Sequence, residues 1–136
     1  MVKKLKYFFI ILVIFIIDLI LKYSLFNNHR AIINTNTGIG LGLLPNNFIL
    51  ILGLSIIIIG VFIALLLRKK SFTKYNNLEK FSLSIIIAGS LNNLFDRLFY
   101  GFVIDYIRMP LIPMFNISDF SITLGIIMLI ILLLRA

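Results

Sequence analysis

The chain has 136 residues, of which 61% are hydrophobic, and a mean hydropathy of +1.12. Soluble domains are about 45–50% apolar, and a chain this short cannot bury so much apolar surface away from water, so one membrane domain over residues 1–136 is expected. The net charge is +8, but the basic residues lie mainly between apolar runs, as topology signals do, which argues against a nucleic-acid partner. Without cysteine, disulfides, thiol nucleophiles and cysteine metal sites are excluded.

Four apolar stretches are close to the length of about 20 residues that a membrane-spanning helix requires. In chain order, the predicted spans are Tyr7 to Leu25, Phe48 to Leu67, Phe81 to Leu98 and Ser118 to Leu134. The basic residues before the first span resemble the start of a secretory signal peptide. The apolar run is too long for one and no small-residue cleavage site follows, so we expect the span to be retained.

The basic residues also predict the orientation of the spans. Nine of the thirteen lie before the first span, between the second and third spans, or after the fourth: Lys3, Lys4, Lys6, Arg68, Lys69, Lys70, Lys74, Lys80 and Arg135. The positive-inside rule makes this side cytoplasmic. Both termini are then cytoplasmic, and the loops at about 26–47 and 99–117 lie outside.

This orientation predicts that acidic residues gather near the outer membrane surface. Four of the five acidic residues fall there, and only Glu79 lies on the other side; the four are Asp18, Asp96, Asp105 and Asp119. Residues three or four positions apart share a helix face, which groups Asp18 with Lys22 and also aligns Gly89, Asn93 and Arg97. Because charged groups in a bilayer usually face a bundle interior, the cluster is a functional-site hypothesis.

Each of these residues also has a purely structural interpretation. Asp18 and Lys22 can form an ion pair that steadies helix packing, and Asp96 with Arg97 can anchor the end of a span at the interface. Asp119 can cap the fourth helix, since carboxylates suit helix N-termini. Asp105 can be an ordinary loop acid.

The residue types limit the chemistry of such a site. With His29 as the only histidine, no metal site is expected, and Lys22 and Ser24 point to different helix faces, which disfavours a Ser–Lys pair. Two carboxylates held close together share a proton, and one can then act as general base and the other as general acid. From the residues alone this arrangement is allowed, beside a small transporter or channel subunit and a non-enzymatic anchor protein.

Three ordered blocks resemble the lipoprotein signal peptidases, also called signal peptidase II. The blocks run from Gly89 to Arg97, from Gly101 to Tyr106 and from Phe115 to Asp119, with Ser121 and Gly125 continuing the last. Asp18 and Lys22 resemble the family's Asp-x-x-x-Lys, and Asn36-Thr37-Gly38 its Asn-x-Gly loop. The likeness covers nearly the whole chain. The departures are Leu19 for glutamine, Asn92-Asn93 for Gly-Asn, Ser118 for alanine and a glycine-rich stretch at 39–42.

The resemblance implies an all-α membrane protein with four transmembrane helices and a small extracytoplasmic β-structure. It implies catalytic roles for Asp105 and Asp119, and supporting or substrate-binding roles for seven residues: Asn36, Gly38, Asn93, Arg97, Asn116, Asp18 and Lys22. The implied activity is an intramembrane aspartic endopeptidase without cofactor or metal. It would act in the bacterial cytoplasmic membrane, in contact with lipid, and cut diacylglyceryl-modified prolipoproteins before the lipidated cysteine at the extracytoplasmic face.

Overall fold

The computed structural model describes residues 2–28, 30–38, 47–68, 70 and 76–135. In chain order, the elements within these residues are α1 (Val2–Phe26), β1 (Asn34–Asn36), α2 (Phe48–Leu67), α3 (Asn76–Tyr100), β2 (Val103–Asp105), β3 (Ile107–Met109), β4 (Ile112–Phe115) and α4 (Ile117–Leu134). The strands form two antiparallel pairs, β1 with β2 and β3 with β4. The structure is therefore mostly helical with small sheets, as the sequence predicts.

Three of the helices are long and apolar enough to cross a membrane: Leu5–Phe26, Phe48–Leu67 and Ile117–Leu134. They closely match the first, second and fourth predicted spans. The remaining helix, α3, has 25 residues but carries charged residues near both ends. It packs against α1, α2 and α4 and contains much of the buried core. The central position of α3 explains why it is the least apolar of the four.

Two glycines bring α3 and α4 into very close contact. A Cβ atom on Gly89 would lie 2.3 Å from the carbonyl oxygen of Ser118, and one on Gly125 would lie 2.5 Å from Cγ1 of Ile86 and 2.8 Å from the carbonyl oxygen of Ser82. Small residues allow helix backbones in membranes to approach in this way. The close approach at Gly89 sets the first turn of α4 beside the middle of α3.

The strands position the segment that connects α3 to α4. Gly101 ends α3 with a positive φ of 81°, a conformation that glycine adopts at little cost. The chain then enters β2, which pairs with β1 in the register Asn34 to Asp105 and Asn36 to Val103. All three residues of β2 are buried. This pairing holds Asp105 between the first loop of the chain and the end of α3.

Candidate active site

Buried polar side chains gather where the last turns of α3 meet the first turn of α4. Each is less than 10% exposed: Asp18, Lys22, Asn92, Asn93, Asp96, Arg97, Asp105, Asn116 and Ser118. Burial of polar groups is costly unless they are hydrogen-bonded, so their partners define the site. Six of the nine predicted site residues belong to this group, and Asp119, Asn36 and Gly38 adjoin it.

Asn116 links the two aspartates that the sequence singles out. Its Nδ2 donates to Oδ1 of Asp105 at 2.8 Å, and its Oδ1 accepts from the backbone N–H of Asp119 at 2.8 Å. Asn116 is the N-cap of α4, and the Asp119 carboxylate closes a capping box through the backbone N–H of Asn116. Asp119 thus also acts in the capping of α4, while Asp105 is far from an ordinary loop acid, being 1% exposed.

Asn93 ties Asp119 to a buried lysine. Its Nδ2 donates to Oδ1 of Asp119 at 2.7 Å, and its Oδ1 accepts from Nζ of Lys22 at 3.2 Å. Because an amide group has one donor end and one acceptor end, the lysine fixes which end of Asn93 faces Asp119. Asn93 therefore always presents a donor to that carboxylate.

Lys22 lies at the centre of a buried ion cluster. Its Nζ is 3.0 Å from Oδ2 of Asp18 and 2.8 Å from Oδ2 of Asp96, and all three side chains are at most 1% exposed. The structural interpretation of Asp18 and Lys22 as an ion pair is thus confirmed, with Asp96 as a third member. Asp96 also accepts from the backbone N–H of Ile104 at 3.1 Å. Of the two interpretations left open for Asp96, its burial favours a role within the site over an interfacial anchor.

The environment of Asp105 favours its protonated form. Burial, and after it the charge of Asp119, raise the pKa of Asp105 from its ordinary value to about 7, although the amides of Asn36 and Asn116 act in the opposite direction. Its second oxygen, Oδ2, is buried and has no hydrogen-bond partner among the described residues. Asp119, in contrast, accepts hydrogen bonds at both oxygens.

Arg97 connects the site to the first loop. Its Nη2 donates to the carbonyl oxygen of Gly38 at 2.9 Å, and its Nη1 donates to the carbonyl oxygen of Asn93 at 3.3 Å. The backbone N–H of Gly38 in turn donates to Oδ1 of Asn36 at 2.9 Å. Hydrogen bonds therefore link the predicted residues Asn36, Gly38 and Arg97, whereas the glycine-rich stretch at 39–42 lies outside the described residues.

Sequence reasoning missed two members of the network, Tyr106 and Ser118. The Tyr106 hydroxyl donates to Oδ1 of Asp18 at 2.5 Å, and the Ser118 hydroxyl donates to Oδ2 of the same carboxylate. Burial and the Asp18 carboxylate raise the pKa of Tyr106, which keeps its proton on the oxygen. Ser118 stands where the resembling family has alanine, and its polar hydroxyl next to Asp119 was the available signal.

Asp119 lines a groove of the helix bundle. It has a volume of about 300 Å³ and lies between α2, α3 and α4. Its polar lining includes Asn93, Arg97 and Asp119, and the rest of its lining is mostly apolar, including Ile58, Phe62, Ile86, Ile122 and Ile126. This mixture suits an apolar ligand that presents one polar group.

Metal ligands are not grouped anywhere in the described part of the chain. No cluster of three or more His, Cys, Asp or Glu side chains is present there. The only histidine, His29, lies outside the described residues. The groups able to act on a ligand in this site are therefore the carboxylates, amides and hydroxyls described above, with Lys22 and Arg97.

The fold and site define a helical membrane protein with carboxylates buried at one end of its bundle. Residues 10–135 match the family model described as signal peptidase (SPase) II. The chain therefore belongs to the signal peptidase II family, a family of membrane-bound peptidases.

Individual relatives agree with this assignment. The lipoprotein signal peptidase of Wigglesworthia glossinidia brevipalpis is 37% identical over 93% of each chain. That of Caldicellulosiruptor bescii is 43% identical over 79 residues, which are 58% of this chain but only about half, 53%, of the relative. A solved structure described as a bacterial membrane enzyme superposes with a TM-score of 0.87 at 26% identity, covering 96% of this chain and 88% of the other.

Proposed function

We propose that this protein is an intramembrane aspartic endopeptidase that removes signal peptides from diacylglyceryl-modified prolipoproteins, cutting before the lipidated cysteine. The observation that carries the proposal is the contact of one side chain, Asn116, with both Asp105 and the first turn that holds Asp119. Two carboxylates coupled in this way do not ionise independently. Names of the relatives supply the substrate class, since they are lipoprotein signal peptidases.

The proposal gives each aspartate its own role. Asp119 accepts hydrogen bonds at both oxygens, and in this proposal it is the base that takes a proton from the attacking water. Asp105, whose pKa is raised to about 7, gives its proton to the carbonyl oxygen of the scissile peptide as the water oxygen bonds to carbon. Collapse of the tetrahedral intermediate then breaks the C–N bond, and the leaving amine takes a proton from the dyad.

The groove above Asp119 offers a path for the substrate. Its apolar lining suits the apolar side chains of a signal peptide, and its polar residues Asn93, Arg97 and Asp119 suit the extended peptide at the cleavage site. The other polar groups, Asp18, Lys22 and Asp96, are closed within their own ion cluster rather than exposed along a path. This closure favours a peptidase site over a transporter or channel.

The proposed topology has four spans, with α3 as the third, and both termini in the cytoplasm. A polar helix is acceptable in a membrane where its charges face the bundle interior, and Asp96 and Arg97 of α3 are buried. The positive-inside rule then places Asp105 and Asp119 at the extracytoplasmic face of the bacterial cytoplasmic membrane. Ile32 and Lys70 are both exposed and belong to opposite sides of the membrane in this topology. Replacing each with cysteine and measuring from which side the thiol is labelled tests the placement.

The cleavage test uses purified protein and a synthetic prolipoprotein peptide, with or without the diacylglyceryl group. We expect Asp105→Asn and Asp119→Asn each to lower the cleavage rate by at least about 10²–10⁴-fold, the usual contribution of a general acid or base. Mass spectrometry of the products should locate the cut before the lipidated cysteine, and chelation of metals should leave the rate unchanged.

Glu79→Gln is the matched control, because it also neutralises a buried carboxylate but at the opposite end of α3. It should keep the wild-type rate once the amount of folded protein is equalised. Wild-type rates in either aspartate variant would refute the dyad, and equal cleavage of the unlipidated peptide would refute the substrate class.

A further inference from the structure

A second cavity lies at the other end of the bundle from Asp105 and Asp119. It has a volume of about 500 Å³ and is bounded by the start of α1, the end of α2 and the first half of α3. This volume falls within the range of about 300–1,000 Å³ that is usual for small-molecule sites. Its walls are apolar: Phe8 and Ile11 from α1, Ile63 and Leu66 from α2, and Ile87 and Leu91 from α3.

The shape of the cavity limits what can occupy it. Along α3 it extends from Lys80 to Leu91, which is about 16 Å at the helical rise of 1.5 Å per residue. Spread evenly over that length, the volume corresponds to a mean width of roughly 6 Å, whereas an α-helix with its side chains is about 10–12 Å wide. A partner helix therefore does not fit within it, but a single hydrocarbon chain does.

The mouth of the cavity is basic. Lys80 and Tyr7 line it, and Nζ of Lys6 lies 4.8 Å from the centre of the Tyr7 ring, which brings a second ammonium group to the same place. The Tyr7 hydroxyl donates to Oδ1 of Asn77 at 3.2 Å and so joins the first turns of α1 and α3 beside the mouth. Glu79 is buried and is not part of the lining.

We propose that this cavity binds one acyl chain of an anionic phospholipid, with the phosphate of its headgroup beside Lys80 and Lys6. An apolar channel with ammonium groups at one end matches a molecule that is apolar along its length and negatively charged at its end. Burial of each methylene contributes about 0.8 kcal/mol, and a lysine near anionic lipid contributes about 1 kcal/mol. The lipid comes from the membrane leaflet opposite to the candidate active site.

The test measures lipid binding to the full-length protein by native mass spectrometry in detergent, with dioleoyl phosphatidylglycerol and dioleoyl phosphatidylcholine as the two probes. We expect one phosphatidylglycerol per chain, bound at least about five-fold more tightly than phosphatidylcholine. Lys80→Gln should weaken phosphatidylglycerol binding by about five-fold and leave phosphatidylcholine binding unchanged. Leu91→Trp should weaken the binding of both lipids, because the indole fills the channel.

Two matched controls separate a built site from general effects. Lys70 is exposed on the same side of the bundle, and Leu124 faces outward on α4 with 39% exposure, and neither lines the cavity. Lys70→Gln and Leu124→Trp should therefore bind both lipids as the wild type does. If Leu91→Trp fails to fold, Ile63→Phe fills the same channel from α2.

Three results would overturn the proposal. They are equal affinity for the two lipids, an equal loss in Lys70→Gln and Lys80→Gln, or unchanged binding in the channel-filling variants. Because the readout is lipid retention, it is independent of peptidase activity, and the proposed function stands or falls on the separate cleavage assay.

Discussion

α3 meets α4 and α2 in two very different ways. Against α4, Gly89 and Gly125 bring the backbones so close that a single added methyl group would overlap its neighbours. Against α2, the contact leaves grooves of about 300 and 500 Å³ on its two sides. The tight seam between α3 and α4 holds Asn93 and Asp119 in contact, while the open seam between α2 and α3 is where the proposed substrate and the proposed lipid would bind.

The largest expected effect comes from the ion cluster beside the tight seam. Lys22→Met leaves the buried carboxylates of Asp18 and Asp96 without their cation, and breaking a buried pair in this way costs about 3–5 kcal/mol. We expect the free energy of unfolding, measured by denaturant titration in mixed micelles, to fall by that amount. Lys70→Met, at an exposed position, should change it by less than about 0.5 kcal/mol.

A double variant sharpens this prediction. Adding Asp96→Asn to Lys22→Met removes one of the two uncompensated charges, so the combined loss should be smaller than the sum of the two single losses. Additive losses would mean that Lys22 and Asp96 do not interact as their 2.8 Å separation indicates.

A smaller loss of stability is expected from adding a methyl group within the tight seam between α3 and α4. Gly125→Ala places a methyl group within 3 Å of Ile86 and of the Ser82 carbonyl, and overpacking of this kind costs about 1–3 kcal/mol. Gly53→Ala and Gly60→Ala are matched controls on α2, because nothing lies within 4 Å of a Cβ atom there. These two should be neutral or stabilising by up to about 1 kcal/mol, and a loss equal to that of Gly125→Ala would refute the contrast between the seams.

A substitution in the open seam between α2 and α3 should change substrate binding rather than stability. Ser55 lines the groove that leads to Asp119, so Ser55→Phe is expected to raise KM for the lipidated precursor about ten-fold, equivalent to about 1.4 kcal/mol of binding. kcat should stay near the wild-type value, because Asp105 and Asp119 are not displaced. Ile56→Phe, at the next position but 54% exposed and outside the groove, should leave both constants unchanged.

The smallest expected effect is a shift in pH dependence. If Asp105 is the general acid, kcat/KM should fall as the pH rises through about 7, where this carboxyl loses its proton. The Asn36 amide favours the ionised form, so Asn36→Ala should move this alkaline limb to higher pH by less than about one unit, the value of one hydrogen bond. Thr37→Ala is the control, and a shift to lower pH in Asn36→Ala would contradict the assignment.

Ionisation of Asp105 should also change the free energy of unfolding, and the direction of that change follows from its pKa. Because the pKa of Asp105 in the folded chain lies above its ordinary value, the folded state binds the proton more tightly than the unfolded state. Its contribution to the free energy of unfolding is complete below about pH 3.8 and is lost as the pH rises to about 7. Asp105→Asn should lack this decline, and parallel stability profiles for the two proteins would exclude it.

Local patterns in the sequence predicted the helices and much of the site. The apolar runs gave the bounds of α2 and α4 to within a residue, and the stripe of Gly89, Asn93 and Arg97 placed the right face of α3 toward the site. The four-span topology stays a prediction, because α3 is not among the three described helices that are long and apolar enough to cross a membrane.

The contacts that sequence reasoning missed depend on how the helices are rotated against one another. Tyr106 and Ser118 reach Asp18 across 88 and 100 positions of the chain, and no local spacing encodes such a pairing. The same holds for the two grooves beside α2, which exist because α2 packs against α3 without closing on α1 or α4. The double contact of Asn116 also required the structure, although its capping of α4 was foreseeable from Asn116 and Asp119.

The pairing of β1 with β2 has a consequence for the biosynthesis of the protein. Asn34 and Asp105 are register partners, so the ribosome must add 71 residues after the first before the second exists, which takes roughly 4–14 s at 5–20 residues per second. Asp119 is made later still, with α4. A nascent chain therefore lacks the two aspartates of the proposed dyad while its earlier helices enter the membrane, and the proposed chemistry becomes possible only after the start of α4 has been made.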